Sequence, residues 1–461
     1  MPRPTPDLMA IGDSLPQGCR SLSVTAAKCA QSWPARWAAA QTWRFDTPDF
    51  PRPVLFDLDQ EILSKLDLVD LVRNHRIPGF LGRLAENVKD WVKNDPTSAF
   101  DGFDNVAVAG TRVIDLYKQT ASTAQTVIDQ RTTGSISDLI KNNGVADLHV
   151  AINARFTLNP SQNPAFANFT QMDWVRERRP KNLVVQAGHN HGLYETGNNA
   201  KLPSGGVTGA TDGVSFFDQW RELARQLAEL PREVERIVVC LLPKLSTVAN
   251  LRPKGEERRD GYAPSYEAVF SIAPDTMDGT ELAAVDKSIR DANTEIEEIV
   301  KAAAQKTGTE GRVTFFSVYR QLEDFDFKNT GDPARRLPVP NHPTVDNNYL
   351  DRTFFRQDLV KGGLQSADGL HPTAVGYALL ASRLIEHLGV QPDRNVDLAQ
   401  AFDDDILLTT RSGRLDALVG LLRLIRRSRV DLGHELLRGG AQDEMGVSDI
   451  VHMAQATFQR S

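Results

Sequence analysis

Short apolar runs that break at glycine or proline recur along the chain, and longer stretches with helical spacing separate them. Leu8 to Ile11 ends at Gly12, and Asp104-Asn105-Val106-Ala107-Val108-Ala109 ends at Gly110. Leu183 to Ala187 ends at Gly188, Ile237 to Leu242 is closed by Pro243, and Val313 to Val318 is a further run. Runs of this length bounded by turn residues predict buried strands. His149 to Ile152 is a weaker strand candidate.

Between the runs the spacing changes. Phe216, Phe217, Trp220, Leu223, Leu227 and Leu230 lie on one helical face, and so do Leu282, Val285, Ile289, Ile296, Ile299, Val300 and Ala303. Tyr377, Leu380, Leu384 and Leu388 predict another helix, with Pro372 in its first turn and Gly389 at its end. The Ala- and Trp-rich stretch 19–45 and residues 58–73, 80–93, 112–142 and 171–178 also read as helical. Strands alternating with helices predict an α/β sandwich on a largely parallel sheet.

Three stretches interrupt the alternation. Residues 46–100 begin rich in proline and read as an insertion flanking a cleft. Residues 244–280 are polar and punctuated by Pro and Gly, a long loop or cap. Residues 320–366 carry many Asp, Asn and Pro and little periodicity, which marks a functional or mobile loop. The expected organisation is one domain over 1–395 with these insertions, then a helical C-terminal appendage over 396–461. The appendage carries Leu415, Leu418, Leu421, Leu422 and Ile425 beside Arg423, Arg426, Arg427 and Arg429.

Composition narrows the field without naming a function. A chain of 461 residues with 41% hydrophobic and 25% charged residues is ordinary for a globular protein. The net charge of −7 offers no support for a nucleic-acid surface. No apolar run approaches the ~20 residues of a membrane span, so no transmembrane segment is expected. The Leu/Arg stretch at 414–430 is a candidate for weak contact with an anionic membrane or a partner helix; a helix packed on its own domain is the commoner outcome. Cys19, Cys29 and Cys240 are too few for a disulfide framework and read as buried thiols. No apolar signal segment precedes the first run, so the chain reads as cytoplasmic unless a leader has been removed.

The chemistry lies where the runs end. In open α/β sheets ligands bind outside the carboxyl ends of the strands. Ser14 follows the first run, Gly110 closes the second, and Asn190 follows the third. A serine needs a base, and the base needs a group that fixes its tautomer. His371 is the natural base, and Asp368, three residues earlier, can orient its Nδ1–H. The amides of Ser14 and Gly110 and the side-chain NH2 of Asn190 are the donor types that a developing oxyanion needs. Gly110, without a Cβ, lets a substrate approach the backbone closely. His189 and His191 form a His-x-His pair of zinc-ligand type, but serine chemistry explains the site without metal, and no cofactor is expected.

Four blocks in order carry a resemblance: Gly12-Asp13-Ser14-Leu15, Gly110 after an apolar run, Gly188-His189-Asn190, and Asp368-Gly369-Leu370-His371-Pro372. Together they resemble the SGNH (GDSL-type) hydrolase superfamily over roughly residues 6–390. The resemblance implies a flavodoxin-like three-layer α/β/α sandwich with a mainly parallel sheet. It implies a serine hydrolase that cleaves carboxylic esters (lipid, short-acyl or acetylated-sugar) through an acyl-enzyme. In that family pattern Ser14 is nucleophile and oxyanion donor, Gly110 and Asn190 are further donors, His371 is the base and Asp368 orients it. The third block departs from the pattern, since His191 stands where the family usually has Asp. An O-acyltransferase would use the same triad, and a silent carbohydrate- or lipid-binding module is the non-enzymatic alternative. The Gly-x-Ser-x-Gly elbow of ordinary α/β-hydrolases is absent.

Overall fold

The computed structural model describes residues 5–60, 80–132, 144–270, 276–352 and 359–409. Its centre is a parallel sheet of β1 (Leu8–Gly12), β2 (Asn182–Gln186), β3 (Arg236–Leu241) and β4 (Val313–Ser317), paired in that order. The helices that build the layers are α1 (Trp33–Ala40), α2 (Gly144–Leu158), α3 (Gln171–Arg178), α4 (Phe216–Ala228), α5 (Gly279–Thr307) and α6 (Ala374–Leu388).

Side chains alternate across a strand, so each strand feeds two faces. Leu8, Ala10, Val184, Val238 and Phe316 pack with Trp33 and Trp37 of α1 and Tyr377, Leu380 and Leu384 of α6. Met9, Ile11, Leu183, Val185, Ile237 and Val239 face the other core, which α2 to α5 fill with Val150, Trp174, Trp220, Leu223 and Ile289 among others. These are the three layers of an α/β/α sandwich.

The run 104–110 is not a full strand. It forms one parallel bridge, Asn105 to Ala10. Even so, Val106 N–H donates to Ala10 O at 2.9 Å and Val108 N–H to Gly12 O at 3.0 Å, so the segment runs beside β1 on its outer edge. On the side away from β1, Asn105 Oδ1 accepts from Ala107 N–H at 3.2 Å, a local side-chain bond that occupies the edge donor. With this segment counted second in chain order, the strand order across the sheet is the 2-1-3-4-5 of flavodoxin-like folds.

Other expectations are corrected. His149 to Ile152 lies inside α2, where residues on nearly every side are buried, so a short apolar run carried no period to tell strand from helix. Stretch 19–45 is helical only over Ala26–Ala30 and α1. Pro372 stands just before the cap of α6, which is Thr373. Residues 244–280 include a small antiparallel sheet of Leu251–Lys254, Ser265–Ala268 and Thr276–Asp278, with Tyr266 buried. Within 320–366, the short helix Phe327–Thr330 and the pair Asp351–Arg352 with Leu359–Lys361 give order. Polar side chains bind backbone there: Asn329 Nδ2 donates to Ser246 O and Asn347 Nδ2 to Thr247 O. A segment organised by such bonds shows no hydrophobic period. Stretches 61–73 and 133–142, and the Leu/Arg stretch 414–430, lie outside the described residues.

Residues Leu398–Asp403 and Ile406–Thr409 are helical and bury Phe402, Leu407 and Leu408. Between them Asp405 Oδ2 accepts from Arg20 Nη1 at 3.1 Å and from Ala374 N–H at 2.7 Å. Among the described residues no helix is long and apolar enough to cross a membrane. Arg20 and Asp405 are both buried, and breaking such a pair leaves one charge without its counter-ion, which costs about 3–5 kcal/mol. Asp405→Ala is therefore expected to lower the denaturation midpoint, with a loss of about 3 kcal/mol or more by chemical denaturation.

Candidate active site

The site starts from the end of β1. Gly12 has φ +139°, and a Cβ there would lie 1.9 Å from the Gln186 carbonyl oxygen, so only glycine lets β1 and β2 close at this level. Asp13 then caps the short helix Ser14–Gln17, its carboxylate accepting from Leu15 N–H. This turn points Ser14 toward a histidine that arrives from the far end of the chain. Ser14 Oγ lies 3.0 Å from His371 Nε2, and His371 Nδ1 lies 2.7 Å from Asp368 Oδ2. Ser14 and His371 are only 4% and 2% exposed, so the chain of three is sheltered from water.

Asp368 is held from several sides. Its Oδ1 accepts from the N–H groups of Leu370 at 2.8 Å and His371 at 2.9 Å, and its Oδ2 also accepts from Leu22 N–H at 2.9 Å. Burial alone would raise its pKa, but the adjoining His371 and these donors hold it below the ordinary carboxylate range. Burial works against a charge on His371; the neighbouring Cys19 sulfur and the Asp368 carboxylate outweigh it and hold the imidazole well above its usual value. An ionised Asp368 fixes the proton on Nδ1, which leaves Nε2 to face Ser14.

Gly110 and Asn190 come to the same rim. Asn190 Nδ2 donates to Thr111 O at 2.8 Å, beside Gly110, which engages one of its two protons. Gly110 has φ +87°, and a Cβ would meet Val150 Cγ2 at 2.5 Å. The loop's own backbone bonds use neither the Ser14 nor the Gly110 N–H among the described residues. Next to Asn190 a cavity of about 360 Å³ is walled by Arg112, Glu195, Pro203, Gly206 and Thr211.

The two histidines of the third block differ. His191 Nε2 accepts from Val113 N–H at 3.2 Å, and its Nδ1 donates to Gly209 O at 2.9 Å. Burial lowers its pKa to about 4, so the ring is neutral with both nitrogens engaged. His189 Nδ1 instead lies 2.6 Å from Asp13 Oδ2. Among the described residues no group of three or more His, Cys, Asp or Glu has metal-binding geometry.

Sequence reasoning missed several supports of this rim. Gln171, on α3, holds Gly12 from both sides: its Oε1 accepts Gly12 N–H at 2.7 Å and its Nε2 donates to Gly12 O at 3.1 Å. Gln17 Oε1 accepts from Ala109 N–H at 2.8 Å, just before Gly110, and is itself held by Asn153. Nothing local in the sequence points to Gln171. The Asp13–His189 pair did leave a trace, since each member directly precedes a residue of the motif.

A parallel-sheet α/β/α sandwich with these blocks at its strand ends is the architecture of the SGNH hydrolases. The chain belongs to the GDSL-like Lipase/Acylhydrolase family, whose sequence model matches residues 8–384. It is therefore an enzyme of the esterase/lipase type, acting by ester hydrolysis or acyl transfer. Neither a protein of established function nor a solved structure shows significant similarity to the chain.

The electrostatics can be checked directly by NMR titration of the histidine ring signals. His371 is expected to titrate with a midpoint above the ordinary value of about 6.5, and Asp368→Asn to move that midpoint down. His191 is expected to stay neutral throughout the range above its pKa of about 4.

Proposed function

We propose that the protein is a serine ester hydrolase in which Ser14 is the nucleophile, His371 the general base and Asp368 its orienting carboxylate. The observation that carries this is the unbroken hydrogen-bonded chain from Ser14 Oγ through His371 to Asp368. Neutral His371 takes the Oγ proton on Nε2 as Oγ bonds to the ester carbonyl carbon. The carbonyl oxygen becomes an oxyanion, which the N–H groups of Ser14 and Gly110 and the Asn190 side-chain amide stabilise. As the tetrahedral intermediate collapses, His371 returns the proton to the leaving alcohol and the acyl group stays on Ser14. Water, deprotonated by the same imidazole, then attacks the acyl carbon and releases the acid. The cavity beside Asn190 is suited to one arm of the ester.

Ser14→Ala is expected to lower hydrolysis of a short-chain chromogenic ester by at least about 10⁴-fold, because removal of the nucleophile leaves only binding and oxyanion contributions. A fluorophosphonate is expected to label the wild-type protein at Ser14, read by peptide mass spectrometry, and to leave Ser14→Ala unlabelled. Labelling elsewhere together with an active alanine variant would exclude Ser14 as nucleophile.

The pH profile has a definite sign. The base functions only when unprotonated, and His371 holds its proton more tightly than an ordinary histidine. Activity is therefore expected to rise with pH along a limb centred above about 6.5 in kcat/KM. A limb centred below that value would mean that the free enzyme does not hold His371 as a charged partner of Asp368.

A further inference from the structure

The mechanism above leaves one buried pair unused. Asp13, fully buried, and His189, 6% exposed, meet at 2.6 Å between Oδ2 and Nδ1. Each stands directly before a residue given a role in the reaction: Asp13 before Ser14, His189 before Asn190. The partners come from adjacent parallel strands whose register sets Gly12 opposite Gln186, so their bond spans the gap between the two strand ends just past the sheet.

The other ring nitrogen sharpens the case. His189 Nε2 is buried and has no hydrogen-bond partner among the described residues. Buried polar atoms are nearly always paired, and an orphan carries a cost. A leucine or phenylalanine would remove that orphan but leave the buried Asp13 carboxylate without its partner. An imidazole kept here at that cost is kept for the contact it does make, the one to Asp13.

We propose that the Asp13–His189 bond is a positioning device for the oxyanion hole: it fixes the separation between the Ser14 donor and the Asn190 donor. The inference rests on the serine mechanism proposed above and adds two residues that touch no reacting atom. Oxyanion donors must lie near 3 Å from the charge they stabilise, and misplacement by about 1 Å costs on the order of 10²-fold in rate. Other bonds fix Asn190 against the 108–113 loop. That loop is itself held to the serine turn by Gln17 and by Thr111 Oγ1, which donates to Gly12 O at 3.1 Å, while the Asp13–His189 bond joins directly the residues that precede Ser14 and Asn190.

The test uses two conservative variants that differ in which nitrogen they imitate. An asparagine amide can occupy the place of Nδ1, whereas a glutamine amide reaches the place of Nε2. With a short-chain ester, His189→Asn is expected to keep kcat within about threefold and His189→Gln to lower it by about ten- to a hundredfold, with KM changed by less than about twofold in both. In an Asn190→Ala background, His189→Gln is expected to cost less than about twofold further, because its effect passes through Asn190. A merely structural role would instead lower thermal stability and reduce activity equally in both backgrounds. The proposal is overturned if glutamine preserves kcat and asparagine does not, or if the loss is the same with and without Asn190. If the glutamine variant does not fold, Asp13→Asn carries the test, with kcat expected to fall about tenfold at unchanged KM, and wild-type kcat overturning the proposal. A Ser14→Ala control separates the failures. An active alanine variant removes the serine mechanism and this inference together, while a dead one beside an unaffected His189→Gln removes this inference alone.

Discussion

The carboxylate of Asp368 is the point on which the site depends. It gathers His371 Nδ1, the N–H groups of Leu370 and His371, and the N–H of Leu22. The last of these comes from the loop that follows Ser14, more than 340 residues earlier in the chain. That loop is bent for the purpose. Ser21 and Leu22 both adopt left-handed backbone, with φ +49° and +56°, a conformation that costs an ordinary residue about 1–3 kcal/mol. Ser21 N–H donates to Ser366 Oγ and Ala367 N–H to Ser21 Oγ, so the strained turn and the Asp-Gly-Leu-His turn are laced together. One anion thus sets the histidine's tautomer and joins two distant parts of the chain. Asp405, bonded to Arg20 and to the first residue of α6, braces the same junction from the C-terminal side.

Around that anchor the rim is a layer of buried polar side chains, and its order comes from mutual satisfaction. Gln171 holds Gly12, Gln17 holds Ala109, Asn190 holds Thr111 and His191 holds Val113. Each loss would orphan a buried donor or acceptor at about 1–3 kcal/mol. The strand ends need this because parallel strands stop pairing at Gln186, while the loops beyond must still keep a fixed spacing. Rigid spacing is what electrostatic stabilisation of a developing charge requires, since a loop that must reorganise loses the advantage of its dipoles.

How much of this the sequence carried follows from the range of each signal. The strands of the sheet and helices α4, α5 and α6 were legible because hydrophobic period is local. Ser14, Gly110, Asn190, Asp368 and His371 could be singled out as candidates because each sits in a short block at a strand end or turn. The supports were not, because their meaning depends on partners far away: Gln171 is 159 residues from Gly12, and His189 is 176 from Asp13. A glutamine in the first turn of an amphipathic helix reads as solvent-facing until the sheet beside it is known. The segment 104–110 misled for the opposite reason. Its apolar run was real, but it borders the sheet on one side only and pairs with β1 through a single bridge at Asn105.

The departure in the third block has a chemical logic that the geometry makes explicit. An ionised aspartate only accepts hydrogen bonds, whereas a neutral histidine accepts on one nitrogen and donates on the other. At position 191 the acceptor serves Val113 N–H and the donor serves Gly209 O. A carboxylate could take the first bond but would face the Gly209 carbonyl as a like dipole. His191 therefore links the loop after Gly110 to the glycine-rich segment that walls the cavity beside Asn190. Burial keeps that ring neutral, so the link adds no charge next to Asn190. The histidine joins the loop that carries Thr111, the partner of Asn190, to the cavity wall, which couples the placement of Asn190 to the shape of the space beside it.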